Sequence, residues 1–538
     1  MWMLTGANGY ALDERNTRFN AVLIDGERIV AVGNEAELRM QAHDQLSRIV
    51  NVEGATVIPG LVDNHLHVAG VGEQAMKLNL DGTTSAREML ARIETFAKML
   101  PQSAWVLGGG WNDNLFLDHA VPTLSELDSA AGGRPLFLTR VCRHAYLANS
   151  AAFHAAGVQA GTPNPGDGAY GYHASGELNG WVYENASKPF FAAIPPWSMM
   201  QWKQALENGM TQCVAAGLTA VHTDDVRYLG NFRDTWLTYH ALQAEGMSLR
   251  VHELVDWDHI DACLAAMADL PPESDWLQRG AAKLFSDGAF GGRTAWLATP
   301  YADASGETGM PIYSPEELAR RVRVAHEKGF AVAIHAIGDA ALDATLTALA
   351  EGPRVQQRDR VVHAQLIRPD LVARMAKFGE QIVVDVQPRF TVSDFPWVAA
   401  RVGAHRAGAV CAWRTMMDAG LRLGGGSDAP IEPVSPLLGI HAAVTRRAPY
   451  GDGTAYHIEQ ALTPLEAVRL FGQDACIAND QHTYKGVIAP GWLADLTIVD
   501  RDIVMPRHLD DIRDAQIRST IVGGRIAYDA AGAQLEVG

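Results

Sequence analysis

The sequence predicts an α/β protein whose main body is a (β/α)8 barrel, with a small β domain assembled from both chain ends. Three observations carry this reading. Eight apolar runs alternate with helical patterns across the middle of the chain, strand-and-turn patterns repeat at the two termini, and one stretch between the first two runs is too long for a simple connection.

At the N-terminal end, Ala21-Val22-Leu23-Ile24, then Asp25-Gly26, then residues 28–33 read as a hairpin, two apolar runs about a tight turn. Residues 493–500, then 517–522, Gly523-Gly524 and 525–528 repeat that pattern near the C-terminus. One β domain from residues 1–56 plus 484–538 is the simplest way to pair them. The remaining 57–483 form the barrel. Its candidate strands are residues 56–67, 218–225, 248–256, 281–288, 331–339, 360–366, 382–388 and 421–428, several of which end in polar or ionisable residues. Strands alternating with helices favour parallel βα units, and eight of them suggest a closed barrel. Helix starts agree with this: Ser314-Pro315-Glu316-Glu317 and Thr463-Pro464-Leu465-Glu466 each place a capping hydroxyl, a first-turn proline and a glutamate three residues after the cap. The gap at about 70–210 must hold an insertion. A barrel would set it over the active-site face as a substrate cap.

Composition narrows the function. With 48% hydrophobic and 20% charged residues, 538 residues are enough to build a large domain and a smaller one. A net charge of −18 disfavours nucleic acid and anionic membranes and leaves a small molecule as the expected partner; a homodimer stays open. The five cysteines, Cys142, Cys213, Cys263, Cys411 and Cys476, are odd in number and show no C-x-x-C spacing, which points to a reducing compartment. No signal-type segment or long apolar run is apparent, so the expected location is cytoplasmic.

The chemistry concentrates at strand ends. His65 and His67, in Pro59-Gly60-Leu61-Val62-Asp63-Asn64-His65-Leu66-His67, are two apart on a strand and so face one side. Among 19 histidines such a pair can arise by chance, but this one ends an apolar strand where a barrel exposes its strand ends to substrate. His335 and His363 end the fifth and sixth candidate strands, one βα repeat apart, and Asp428 in Gly426-Ser427-Asp428-Ala429-Pro430 ends the eighth. Four imidazoles and a carboxylate suit zinc first, with manganese, iron(II) or cobalt as alternatives. Lys283 lies inside the fourth strand, where an unpaired charge is costly. Two readings fit it: a salt bridge to Asp287 or Asp339, which the residues alone slightly favour, or a neutral amine carboxylated to a carbamate that bridges two metals.

These motifs together resemble the amidohydrolase superfamily, in particular its branch of YtcJ-like hydrolases and N-substituted formamide deformylases. The similarity runs nearly end to end. It includes Lys283 with Asp287-Gly288, Gly292-Arg293-Thr294-Ala295, Ile334-His335-Ala336-Ile337-Gly338-Asp339, Val362-His363-Ala364-Gln365, Gln387-Pro388 and residues 486–496. The resemblance implies a distorted barrel beside a β-sandwich made from both ends, one or two divalent metals, and a raised standing for carboxylated Lys283. Two departures stand out. Val362 occupies the place of a glutamate that often precedes the sixth-strand histidine, and Cys142-Arg143 replaces the Asp-Gly of an insertion motif in which His144 and Asn149 still match.

The expected reaction is hydrolysis of an amide, formamide or cyclic amide C–N bond by metal-activated hydroxide, with Asp428 shuttling the proton. Trp111, His144, Asn149 and Arg293 are the expected substrate contacts, His144 or Arg293 steadying the oxyanion. Trp181, Phe290, Trp296, Phe390 and Trp397 are further aromatic candidates for the mouth of the site. Ester hydrolysis or decarboxylation at the same metal is the alternative chemistry. A non-catalytic barrel with a binding or regulatory role is the alternative class.

Overall fold

The computed structural model describes residues 1–142 and 144–530; Arg143 of the insertion motif and residues 531–538 of the expected terminal domain lie outside the described residues. The chain divides into two compact units, Met1–Gly72 with Leu206–Gly538, and Glu73–Ala205.

The first unit contains the barrel. Its eight strands are Leu61–Leu66, Leu218–Thr223, Arg250–Asp256, Leu277–Phe285, Val332–Ala336, Asp359–His363, Ile382–Val386 and Leu423–Gly425, each overlapping the run expected for it. Every neighbouring pair along this order is parallel. Two runs differ from expectation in more than the trimming of their ends. Residues 56–67 are not one strand. Thr56–Pro59 pairs antiparallel with Leu496–Val499 in the terminal sheet, and the barrel strand starts only at Leu61. The break falls at Gly60, where any Cβ would collide with the Thr219 side chain and where the backbone N–H turns to Asp495 O at 2.8 Å. The fourth strand instead starts earlier, at Leu277, and stops before Ser286.

Closure between the eighth and first strands is made in a different way from the other seven junctions. Strand eight is only three residues long, and the glycines around it admit close approach: a Cβ on Gly426 would lie 2.6 Å from His65 N and 2.9 Å from Asp63 Oδ1. Asp428 N donates to His65 O at 2.7 Å and His67 N to Ala429 O at 2.8 Å. Between them the buried Asp63 carboxylate accepts from Ser427 N through both oxygens at 3.0 Å and from His65 N at 3.0 Å. A side chain thus replaces part of a strand ladder.

Both chain ends enter one eight-stranded sheet in this unit. Its order is Arg525–Asp529, Ile517–Val522, Leu496–Val499, Thr56–Pro59, Trp2–Tyr10, Arg18–Asp25, Arg28–Gly33, with Arg48–Asn51 alongside Trp2–Tyr10. Leu4, Val22, Val57, Leu496 and Ile521 share its core. A buried ion pair joins this sheet to the barrel, Arg250 Nε donating to Asp495 Oδ2 at 2.8 Å. The expected caps are in place: Ser314 accepts from Glu317 N, and Thr463 forms a full capping box with Glu466.

The second unit, which holds most of the expected insertion, has a six-stranded sheet of its own in the order Gly168–Tyr172, Leu178–Glu184, Ala145–Ala148, Leu136–Arg140, Val106–Trp111, Leu78–Asn79. Helices Ala86–Met99 and Leu124–Ala131 are capped by Ser85 and by a Thr123–Glu126 capping box. Among the described residues no helix is long and apolar enough to cross a membrane. All five cysteines are free thiols.

Asp63→Ala leaves two buried amides without an acceptor. It is expected to destabilise the barrel by about 2–4 kcal/mol in urea titration, with Asp63→Asn losing about half as much.

Candidate metal centre

His65 lies on the first barrel strand and His67 one residue past its end, both almost wholly buried with their ring centroids 5.3 Å apart. The seam that closes the barrel brings Asp428 to them. Its backbone is left-handed, φ +58, an unfavourable conformation for aspartate that the two flanking seam bonds hold in place. The carboxylate reaches both rings through one oxygen: Oδ1 is 3.4 Å from His65 Nε2 and 3.2 Å from His67 Nε2. The donor atoms of His65, His67 and Asp428 all lie within 4.8 Å of one another.

His335 and His363, at the ends of strands five and six, stand beside this trio and outside its tight spacing. Their rings are 4.5 Å apart, and the His363 ring is 5.7 Å from that of His65. Second partners fix which nitrogen of each ring is free. Gln387 donates its amide to Asp385 O, so its oxygen faces His363 Nδ1 at 2.7 Å and makes that nitrogen the protonated one. His363 Nε2 then carries the lone pair. His335 turns Nε2 to Gly288 O at 3.0 Å, which leaves Nδ1 as its acceptor.

Burial holds three of the four imidazoles neutral. It drives His65 and His363 well below the usual histidine range and His335 to about 4, in each case reinforced by the charge of Lys283. His67 differs. Burial opposes its charge as well, but the Asp224 carboxylate against Nδ1, together with Asp428, outweighs this and lifts it to about 10. Asp224 and His67 touch as an ion pair, and among the described residues His65 Nδ1 has no hydrogen-bond partner. Buried imidazoles grouped with a carboxylate, His65, His335 and His363 neutral and His67 free to bind once it gives up its proton, are a donor set a divalent cation takes, and a carboxylate behind one of them is the usual way such a ring is oriented. The residues present therefore fit a metal.

Lys283 is buried on the fourth strand, and the sequence-based salt bridge is not what it makes. Asp287 instead accepts from Ile337 N, Gly338 N and Trp296 N, and Asp339 from Ala298 N and Arg368. Asp287 lies beyond the strand end, where its carboxylate gathers the amides that turn the chain into the next helix. The lysine amine points to the metal centre, 3.2 Å from His65 Nε2 and 5.0 Å from the Phe285 ring centroid. Burial lowers its pKa to about 8, against the pull of Asp224 and Asp428.

Other expected contacts are engaged elsewhere. Asn149 caps helix Ser150–Ala155: its oxygen accepts from Leu136 N and Ala152 N and its amide donates to Arg134 O, so every polar atom has a structural partner. Trp111 is fully buried in the core of the second unit beside Trp181. His144 is exposed on the same unit and pairs with Glu184 at 3.0 Å. Arg293 is bound through two nitrogens to Asp303. Of the aromatic candidates, Phe390 reaches the centre, stacking on His363 at 5.7 Å. Asp224 and the role of Gln387 were not anticipated, although both residues stand at the ends of expected strands, the same signal that picked out the histidines.

The model of the amidohydrolase family matches residues 48–528 of this sequence. The chain belongs to that family. Within it, YtcJ of Bacillus subtilis (strain 168) is 35% identical over 525 residues, covering 97% of this chain and 98% of the relative. The N-substituted formamide deformylase of Arthrobacter pascens is 29% identical over 547 residues, with 98% of each covered. Among solved structures, a metal-dependent hydrolase from Pyrococcus horikoshii OT3 superposes with a TM-score of 0.76 at 26% identity, covering 94% of this chain and 98% of that one.

Gln387→Leu removes the acceptor that orients His363 without touching the His65–His67–Asp428 trio. Zinc affinity, measured by competition with a chromogenic chelator, is expected to fall about 10–100-fold, and His65→Ala is expected to abolish stoichiometric binding.

Proposed function

We propose that this member of the amidohydrolase family is a metal-dependent hydrolase that cleaves a non-peptide C–N bond in an amide, formamide or cyclic amide. The observation that carries the reading is the shared Asp428 oxygen, 3.4 Å from His65 Nε2 and 3.2 Å from His67 Nε2, at the closing seam of the barrel. End-to-end similarity to an N-substituted formamide deformylase supports the bond type.

His65, His67 and Asp428 would hold a divalent cation, zinc before manganese, iron(II) or cobalt, with His335, His363 and Lys283 placed for a second. Such an ion supplies Lewis acidity, which acidifies water and polarises a carbonyl. The protein's own groups do the rest. Asp428 is the carboxylate that takes the proton from the attacking water through its free oxygen and returns it to the departing nitrogen. Asp224 holds the His67 ring from behind, and Gln387 holds that of His363. Lys283, with its pKa drawn down to about 8 by burial, gives up its proton more readily than an exposed lysine. Its amine nitrogen can bond to the carbon of CO₂ and release a proton, giving a carbamate in place of the cation that now faces His65.

Asp428→Asn is expected to lower kcat on N-formyl or N-acyl amines by about a thousandfold or more while leaving the thermal midpoint near that of the parent, since the backbone bonds of the seam do not involve the side chain. Unchanged turnover would remove Asp428 from the reaction, and no hydrolysis of any amide after zinc or manganese loading would remove the reading itself. Lys283→Ala is expected to cost the second metal ion, read by elemental analysis, and an unaltered metal content would exclude the carbamate.

A further inference from the structure

Arginines follow several barrel strands, and most of them are tied down. Arg293 binds Asp303, Arg368 binds Asp339 and Asp343, and Arg389 binds Glu432 at 3.0 Å. Arg227 is different. It sits on the short helix Val226–Leu229, just past the end of strand two, and its side chain keeps 44% of its exposure. Its nearest carboxylate oxygen is Asp224 Oδ2 at 3.7 Å, and among the described residues none of its five N–H donors makes a hydrogen bond. Asp224 is also shared, because its other oxygen lies against His67.

The guanidinium stands beside the metal centre. Its carbon is 5.0 Å from the centroid of the Phe285 ring, the same ring that has Lys283 Nζ at 5.0 Å and the His335 ring at 5.4 Å. Phe285 thus spaces a cation with free donors one side chain away from the groups expected to hold the scissile carbonyl. Asp224 is its ion-pair partner at 3.7 Å but is shared with His67, so the guanidinium's hydrogen-bond donors stay open to a second anion.

We propose that Arg227 binds a carboxylate on the substrate, so that the preferred substrates are N-acylated or N-formylated amino acids in place of neutral amides. The inference rests on the hydrolase reading above. A guanidinium fork matches a carboxylate through two parallel hydrogen bonds, a geometry a lysine or a neutral donor does not supply.

The test compares N-formylphenylalanine with N-formylphenethylamine, which share an aryl body and differ by the carboxylate, on the zinc-loaded full-length enzyme. The anionic compound is expected to have a kcat/KM at least about tenfold higher. Arg227→Met should erase that preference mainly through KM and leave the neutral compound within about twofold of the parent, with Arg227→Lys recovering part of it. Equal use of the two compounds by the parent, or an equal loss on both in Arg227→Met, overturns the proposal and leaves the hydrolase reading standing. If neither compound is hydrolysed, calorimetry with N-formylphenylalanine decides: binding to the parent that is lost in Arg227→Met sustains the role of Arg227, and binding that is absent or equal in the two ends it.

Discussion

The closure of the barrel between its last and first strands is the constraint on which the rest of the structure depends. Strand eight is too short to make a full ladder, so Asp63 reaches across to Ser427 and the backbones of His65, His67, Asp428 and Ala429 finish the junction. The same few residues close the fold and carry the donor atoms of the candidate centre. A barrel that failed to close would separate Asp428 from the two histidines, so the reactive geometry exists only where the scaffold is complete. The left-handed backbone at Asp428 is held by these bonds, and the glycines before it give the space in which they form.

Below the centre the barrel is polar where an aliphatic core is the norm. Arg360 is fully buried and donates to Asp385 Oδ2 at 2.7 Å and to the Asn64 carbonyl, with His222 Nδ1 at 3.1 Å, and Asn64 donates in turn to Asp385 at 3.0 Å. A buried ion pair of this kind adds little net stability and becomes strongly destabilising when one partner is removed. Its geometric effect is clearer. It ties strands one, two, six and seven together directly behind His65, and so fixes the strand that delivers the H-x-H pair.

All eight barrel strands were legible in the sequence because each is an apolar run with a polar end, and barrel burial demands that pattern. His65, His67, His335, His363 and Asp428 were legible for the same reason, as residues out of character with the runs they end. What the sequence hid were relations between side chains far apart in the chain. The partner of Lys283 was sought nearby, at Asp287, but neighbouring amides had already taken that carboxylate. Trp111 carried the look of a functional residue because it lies in an unusually long insertion, and Asn149 because it matches a motif of the resembling family, yet a segment with its own six-stranded sheet needs core aromatics and helix caps of its own. Asp224 passed unnoticed because one aspartate at a strand end looks like any other turn former until the fold sets His67 against it.

The terminal sheet also has a bearing on how the chain comes to be folded. Thr56–Pro59 finds its partner in Leu496–Val499, and Leu61 N donates to Thr497 Oγ1 across 436 residues of sequence. During synthesis the first barrel strand and the sheet beside it must wait, with apolar edges open, until residues 496–499 have emerged. Contacts this distant in sequence form slowly and leave strand edges exposed to other chains in the interval. The protein is therefore expected to be most vulnerable to aggregation before Leu496–Val499 has been made, and to lean on chaperones at that stage more than a barrel closed by local contacts would.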